Sequence, residues 1–308
     1  MSSTAYPTAA LPPAPSSGRL RFAHLSDPHL TRLDGVSPLG LRDKRLLGWL
    51  SWTRRRRHRH RPEVLARVIG DVAAATVDHT VVTGDLTQLG LPAELDAARA
   101  WLEALGPPER VTVIPGNHDR YVEDPTGQLE RAWAPWLAGD GPGRPALRLR
   151  GPVAFLALDS AVASPPAFAT GALGAEQLAR CAALLEAAEK AGWVRVVLVH
   201  HAPHPGGDRW RKRLVDAPAL ARVLEDVGAE LVLHGHGHRA RVHRIGAGPR
   251  RIPAIAAPSA SMAAEEADRS AGWNLVTVEC SAEGARITVE QRIPGRRDPA
   301  RVHVFPED

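Results

Sequence analysis

Five short clusters of acidic, amide and imidazole side chains stand out, because each one follows a predicted β-strand. Seven residues in them carry oxygen or nitrogen atoms that can bind a metal ion: Asp27, His29, Asp85, Asn117, His200, His236 and His238. The carboxyl ends of neighbouring strands in an open α/β sheet face one crevice, so we expect the clusters to converge there. Carboxylate, imidazole and amide ligands without thiolates suit divalent Mn, Fe, Zn or Mg.

The spacing within two of the clusters favours shared ligation. Asp27 and His29 are separated by one residue, and so are His236 and His238. In an extended segment, residues i and i+2 point the same way. We therefore expect each pair to present two ligands to one cavity.

The elements that must position these residues alternate between strand and helix. Short apolar runs separated by amphipathic segments are typical of right-handed crossovers and parallel strand pairs. The predicted strands of this part are 20–25, 79–83, 111–114, 153–158, 194–199 and 230–233. One predicted helix begins at Pro62, and three others span 92–105, about 174–190 and 216–227.

The end of the chain has a different pattern, with four predicted strands and no helix between them. These strands are 241–245, 252–257, 274–279 and 285–292, and they predict a mainly antiparallel second sheet. The fold class that follows is α/β: a four-layer αββα sandwich, with two mixed sheets flanked by helices. We place this domain at residues 19–294, with a disordered tail at 1–18 and a C-terminal extension at 295–308.

Composition excludes several classes of protein. The chain has 308 residues, of which 44% are hydrophobic and 24% are charged, as in ordinary globular domains. Two cysteines exclude a disulfide-stapled scaffold and a cysteine-based zinc fold. Without an apolar run of transmembrane length or a basic leader, the sequence predicts a cytoplasmic protein.

The positive charge of the chain is concentrated in residues 41–61, hereafter the basic insert. It holds nine Arg and Lys residues against one Asp, although the whole chain carries only +5. Leucines and two tryptophans precede the run of arginines. This combination is typical of a short amphipathic element that contacts an anionic membrane. The protein would then be peripheral to the inner face of the membrane. A plain solvated face and a nucleic-acid track are the alternatives, and the local character of the charge makes nucleic acid the weaker one.

The ordered blocks Asp-x-His, Gly-Asp, Gly-Asn-His-Asp, His and Gly-His-x-His resemble those of the calcineurin-like metallophosphoesterases over roughly residues 19–294. The resemblance implies two divalent metal ions and the four-layer sandwich. It implies that a hydroxide bridging the ions attacks phosphorus, while His118 faces the substrate and protonates the leaving oxygen. By the same resemblance the first ion is held by Asp27, His29, Asp85 and His238. The second is held by Asp85, Asn117, His200 and His236.

Three further residues lie near the motifs, and each has a predicted role. Arg120 follows the Gly-Asn-His-Asp block, and we predict that it clamps a substrate phosphate. His204 lies in a Pro-flanked loop, and we predict substrate contact there as well. His201 directly follows a ligand on an extended segment, so we expect it to point away from that ligand, either into the core or against the residues that support the ligands.

The resemblance implies a metal-dependent phosphoric ester hydrolase with a small phosphoester substrate. The retained His118 most resembles the class III cyclic-nucleotide phosphodiesterases, so a phosphodiesterase is the first hypothesis. The Trp- and Arg-rich insert favours the alternative, a pyrophosphohydrolase of a lipid-linked nucleotide such as UDP-2,3-diacylglucosamine. A nuclease and a non-enzymatic metal-binding module are the remaining alternatives.

Overall fold

The computed structural model describes residues 11–30, 32–41, 43–140, 143–246, 251–263 and 269–306. These residues form two six-stranded sheets with helices on their outer faces. Between the sheets lies an apolar layer of alternate strand residues, in which Phe22 and Phe155 meet edge to face with ring centroids 5.0 Å apart. The four-layer αββα sandwich with two mixed sheets is therefore confirmed.

The first sheet combines a parallel half with an antiparallel half. In spatial order the strands are β12 (Arg301–Phe305), β11 (Gly284–Arg292), β10 (Trp273–Ser281), β1 (Gly18–Leu25), β2 (His79–Val82) and β3 (Val111–Val113). Strands β1, β2 and β3 run parallel to one another, whereas β10 pairs antiparallel with β1, β11 with β10, and β12 with β11.

The second sheet has a parallel centre and an antiparallel strand at each edge. In spatial order its strands are β4 (Ala146–Arg150), β5 (Val153–Ala157), β6 (Val194–Leu198), β7 (Leu231–His234), β9 (Ile252–Ala256) and β8 (Arg241–Ile245). The carboxyl ends of β6 and β7 meet those of β1, β2 and β3 at one edge of the sandwich, as the contact of His200 with Thr83 shows.

The helices cover the outer faces of the sheets through their apolar stripes. Pro62 opens the first long helix, and Val64, Leu65, Val68 and Val72 are all buried, as their spacing predicts. The helices are α1 (Lys44–Ser51), α2 (Pro62–Ala74), α3 (Pro92–Leu105), α4 (Gln128–Leu137), α5 (Gly174–Lys190) and α6 (Ala217–Val227). Helices α2 to α4 pack on the first sheet and α5 and α6 on the second.

The expectation that the last four predicted strands form a sheet of their own is wrong. Strands β8 and β9 extend the second sheet, whereas β10 and β11 lie beside β1 in the first sheet. Strand β10 pairs with β1 along seven residue pairs, from Gly18 with Cys280 to His24 with Asn274. The free edge of β1 is thus covered by a strand from the far end of the chain, which no local pattern reveals.

The predicted domain bounds stay a prediction, but the flanking segments make contacts. Pro12 accepts a hydrogen bond from the Trp193 indole at 2.8 Å, and Ala14 N–H donates to Ala191 O at 2.7 Å. Residues 1–10 of the predicted tail lie outside the described residues. In the predicted C-terminal extension, β12 pairs with β11 at the edge of the first sheet.

The basic insert folds as a short helical strap. Helix α1 runs into a wider π-type turn at Trp52–Arg56 and one further turn at Arg57–Arg59. Trp52 is buried against Leu33, Leu41 and Leu89, which anchors the strap. No helix among the described residues is long and apolar enough to cross a membrane.

Candidate functional site

The loops that follow the parallel strands are joined directly to one another by hydrogen bonds. Asp27 N–H donates to Gly84 O at 2.9 Å, and His29 N–H donates to Asp85 O at 3.0 Å. Across the two sheets, the His200 ring nitrogen Nδ1 lies 2.6 Å from Thr83 O. The two sheets therefore contribute to one shared site, as the strand-end positions predict.

The structure brings together the four residues predicted to hold the first ion. One ligand atom from each of Asp27, His29, Asp85 and His238 lies within 4.8 Å of the others. His238 Nε2 is 3.1 Å from Asp27 Oδ1 and 3.5 Å from His29 Nε2. All but His238 are nearly fully buried.

The residues predicted to hold the second ion are grouped around His200. Its Nε2 lies 3.3 Å from Asn117 Oδ1 and 3.5 Å from Asp85 Oδ2. The His236 ring is 5.1 Å from the His200 ring, centroid to centroid. Asp85 Oδ2 is also 3.9 Å from His29 Nε2, so this carboxylate lies between the two groups, where a bridging ligand must be.

Backbone conformation in the two paired motifs differs from the extended one that we expected. Asp27, His29, His236 and His238 all have φ between 42° and 64°, and Asp85 has φ 58°. Such left-handed conformations are uncommon for residues other than glycine, and they concentrate at functional sites. The paired side chains therefore converge through tight left-handed turns, and the i, i+2 alternation of a strand is not the cause.

Asp119 holds this strained backbone in place. One of its carboxylate oxygens accepts from Asp85 N–H and Gly116 N–H, both at 2.8 Å, and the other accepts from Thr87 N–H at 2.9 Å. Satisfying three buried backbone donors at once favours a single loop arrangement. Asp119 thus acts on the loops that carry the candidate ligands.

The electrostatics of the site separate the histidines into two kinds. Burial and neighbouring imidazoles hold the pKa values of His29 and His236 well below the usual range, so both are neutral, the form that binds metals. Burial also opposes a charge on His200, but Asp85 outweighs it and raises the pKa of His200 to about 10. Despite its burial, Asp85 has a pKa well below its ordinary value because of His200 and His118.

The donor set fits divalent metal ions. His236 Nε2 is buried and has no hydrogen-bond partner among the described residues. His29 Nδ1 is 3.0 Å from Thr87 O and His200 Nδ1 is 2.6 Å from Thr83 O, so each Nδ1–H donates to a carbonyl. Both Nε2 atoms then face the site, which is the usual orientation of metal-binding imidazoles; Nε2 of His29 carries a free lone pair, and Nε2 of His200 offers one once its proton is lost.

His118 lies beside Asp85 and next to the basic insert. Its backbone N–H donates to Asp85 Oδ1 at 2.7 Å, and its Nδ1 is 2.6 Å from Gln88 O. The Arg56 guanidinium lies 3.1 Å from His118 Nε2 and also donates to Gly48 O at 2.9 Å. Burial, together with Arg56, lowers the pKa of His118 to about 3, despite the opposing charge of Asp85.

The structure argues against the predicted substrate role of Arg120. Its guanidinium pairs with Glu130 and, at 2.8 Å, with Asp159 Oδ2, and Arg144 joins the same carboxylates. These carboxylates outweigh the cost of burial and raise the pKa of Arg120. A guanidinium already neutralised by two carboxylates is a poor clamp for a phosphate.

The other two histidines singled out from the sequence occupy different environments. His204 packs against His243, with tilted rings whose centroids are 4.2 Å apart, and belongs to neither ligand group. His201 is fully buried, as expected, but it does not point away from the ligands, because its ring centroid is 4.5 Å from that of His236. Its Nδ1 also lies 2.8 Å from Ser160 Oγ, and it groups with His200 and His236.

Sequence reasoning missed two residues of the site, Arg56 and His60, which come from the basic insert. Their neighbours Arg54, Arg55 and Arg57 are exposed, whereas His60 is buried beside His29. A run of similar charged residues carries no periodic signal that marks the inward-facing members. A glycine within a helical segment, such as Gly48, is a sequence signal of close packing on that face. In the structure, a Cβ at this position would lie 2.5 Å from Leu89 Cδ2 and 2.6 Å from the Tyr121 hydroxyl.

Comparison with known proteins finds relatives in both sequence and fold. A probable cyclic nucleotide phosphodiesterase from Synechococcus is 28% identical over 219 residues, which cover 70% of this chain and 77% of the relative. A dimetal phosphatase from Danio rerio superposes with a TM-score of 0.57 at 16% identity, over 93% of this chain and 98% of its own. Purple acid phosphatase from yellow lupin has the same TM-score at 14% identity, over 96% of this chain and 55% of its own.

The two structural likenesses, at this low identity, show the shared fold. The family assignment comes from the sequence model of the calcineurin-like phosphoesterases, which matches residues 20–240 and so includes every one of the seven candidate ligands. The chain therefore belongs to the calcineurin-like phosphoesterase family and is a metal-dependent hydrolase.

Proposed function

We propose that the protein is a dinuclear-metal phosphodiesterase that cleaves a P–O bond in a small phosphoester, with a cyclic nucleotide as the first candidate substrate. The observation that carries the proposal is the position of Asp85, whose Oδ2 lies between His29 and His200. The Synechococcus relative, a probable cyclic nucleotide phosphodiesterase, supports the choice of substrate.

The chain's own residues divide the work of the reaction. When bound, two divalent ions supply a nucleophilic water of lowered pKa and neutralise phosphoryl oxygens. One ion would be held by Asp27, His29, Asp85 and His238, and the other by Asp85, Asn117, His200 and His236. The ligand geometry is set before substrate arrives, because the loops are hydrogen-bonded together.

His118 is the candidate proton donor to the leaving oxygen. Because Gln88 O holds one proton at Nδ1, a proton for the substrate has to be carried at Nε2. In the substrate-free protein one nitrogen of the Arg56 guanidinium lies 3.0 Å from His118 Nδ1 and 3.1 Å from Nε2. A substrate must displace this guanidinium, which removes one of the charges that lower the pKa of His118 and so favours a proton at Nε2. The freed guanidinium is then placed to bind a phosphoryl oxygen of the substrate.

One observation favours a second candidate, pyrophosphohydrolysis of a lipid-linked nucleotide. A guanidinium beside His118 stabilises a leaving group that departs as an anion, as a phosphate does. Within the basic insert, Leu46 is 37% and Leu47 is 53% exposed, and exposed arginines follow them. We propose that this surface of the insert contacts anionic lipid or a lipid-linked substrate.

A substrate panel tests both candidates. The purified protein, loaded with Mn²⁺, would be assayed on bis-p-nitrophenyl phosphate, cyclic AMP, UDP-2,3-diacylglucosamine and single-stranded DNA, with Asp85→Asn as the inactive control. We expect turnover of the diester and of cyclic AMP. Preference for the lipid-linked diphosphate would move the second candidate to first place, and cleavage of DNA alone would favour a nuclease. No turnover of any of them by protein with two bound ions would overturn the proposed reaction.

A further inference from the structure

We propose that His60 is an additional ligand of the first metal ion, so that the basic insert completes the metal centre. The inference rests on the dinuclear centre of the proposed function, and it concerns a residue outside the family motifs. His60 would join His29 and His238, the two imidazoles that also group with Asp27 and Asp85.

The position of His60 is the first observation. One ring nitrogen from each of His29, His60 and His238 lies within 4.8 Å of the other two. The His60 ring centroid is 4.3 Å from that of His29 and 5.3 Å from that of His238. The residue is 6% exposed, although Arg59 and Arg61 on either side of it are exposed. His60 therefore places an imidazole beside the metal site from within the basic insert.

The orientation of the ring is the second observation. His60 Nδ1 lies 2.9 Å from Ser261 Oγ, which can accept its proton. This is the arrangement that His29 makes with Thr87 O and His200 makes with Thr83 O. In each case a proton fixed at Nδ1 leaves the Nε2 lone pair available to a metal.

The backbone around His60 is held firmly enough to position a ligand. Arg61 N–H donates to Ser261 O at 2.9 Å, and Ala263 N–H donates to Arg59 O at 2.7 Å. These bonds pair His60 with Met262 as an isolated antiparallel bridge. The partner segment is itself tied to the metal site, because Ser259 Oγ donates to Asp27 O at 2.7 Å.

An extra imidazole has a consequence for metal preference. Imidazole nitrogen suits Zn²⁺ and Co²⁺, whereas Mg²⁺ and Mn²⁺ favour oxygen ligands. A centre with His60 should therefore bind Zn²⁺ and Co²⁺ more tightly at the first site than one without it. The effect of removing His60 should depend on the metal, which a merely structural role of the residue would not produce.

The test is metal binding by His60→Ala, measured by competition with a chelator and by Co²⁺ absorption spectra. Loss of the ligand should weaken Zn²⁺ binding at one of two sites by at least tenfold, on the scale of a disturbed metal site. Mn²⁺ binding should change less. Ser261→Ala, which removes only the partner of Nδ1, should weaken Zn²⁺ binding by a smaller factor.

The matched control is His58→Ala, because His58 is exposed in the same insert two residues away. It should bind both ions like the wild type, and circular dichroism should show that all variants fold. Unchanged Zn²⁺ affinity and Co²⁺ spectrum in His60→Ala would overturn the proposal, and so would an equal loss for Zn²⁺ and Mn²⁺. These measurements need no turnover, so a protein that binds the ions as expected but hydrolyses no ester would contradict the proposed reaction alone.

Discussion

Binding of a metal ion beside His200 should release one proton, and the reason is the pairing of His200 with Asp85. The two side chains are buried, with 3.5 Å between His200 Nε2 and Asp85 Oδ2. Although burial lowers the pKa of His200, Asp85 raises it from 6.5 to about 10. At about 1.4 kcal/mol per pKa unit, this corresponds to roughly 5 kcal/mol in favour of the imidazolium.

The sign of the pH dependence follows from this pKa. At neutral pH the metal-free His200 carries a proton that the ion must displace, which costs about 4 kcal/mol by the same conversion. Because protons compete with the metal ion for His200, the affinity of the site for metal decreases as pH falls. As pH rises from neutral toward the pKa of about 10, the affinity should increase by about tenfold per pH unit.

The assay is calorimetric titration of Mn²⁺ or Zn²⁺ in two buffers of different ionisation enthalpy, which counts the protons released. Asp85→Asn should release no proton from His200 and should lose both ions, because its carboxylate faces both ligand groups. Asp96→Asn, a change at an exposed position on α3, is the matched control. Two ions bound to Asp85→Asn with wild-type affinity and proton release would refute the reasoning.

Three further changes test the roles of single features. His118→Ala should keep both ions, by elemental analysis, and slow turnover by about 10²–10⁴, more for alkyl than for p-nitrophenyl esters; equal losses would contradict a role on the leaving group. Trp52→Ala should loosen the insert by about 3–5 kcal/mol, seen as faster amide exchange over residues 44–59, whereas unchanged exchange would show that Trp52 does not anchor it. Replacement of the exposed arginines by Gln should release the protein from anionic vesicles and leave hydrolysis of a small diester unchanged; identical sedimentation with vesicles would favour a plain solvated face. The replaced residues are Arg54, Arg55, Arg57 and Arg59; the half-buried site residue Arg56 is kept.

Local pattern predicted most of the elements of the fold. Helix Pro92–Leu105 and strand Arg241–Ile245 have the predicted bounds, because apolar periodicity and the proline at the start of the helix are local signals. Strand β4, helix α4 and strand β12 were missed. Helix α4 carries Pro135 in its interior and β12 has only five residues, so the local signal of each is weak.

By itself, the sequence determined the order of the motifs and hence the candidate metal-binding side chains, since residue type and strand-end position are both readable along the chain. Only the tertiary structure decided which strands share a sheet, because pairing of β1 with β10 joins residues at least 250 positions apart. It also decided which members of the basic insert face inward. Arg56 and His60 differ from their exposed neighbours in what packs against them, namely His118 and His29. Those contacts arise between distant segments, and one-dimensional patterns of charge do not encode them.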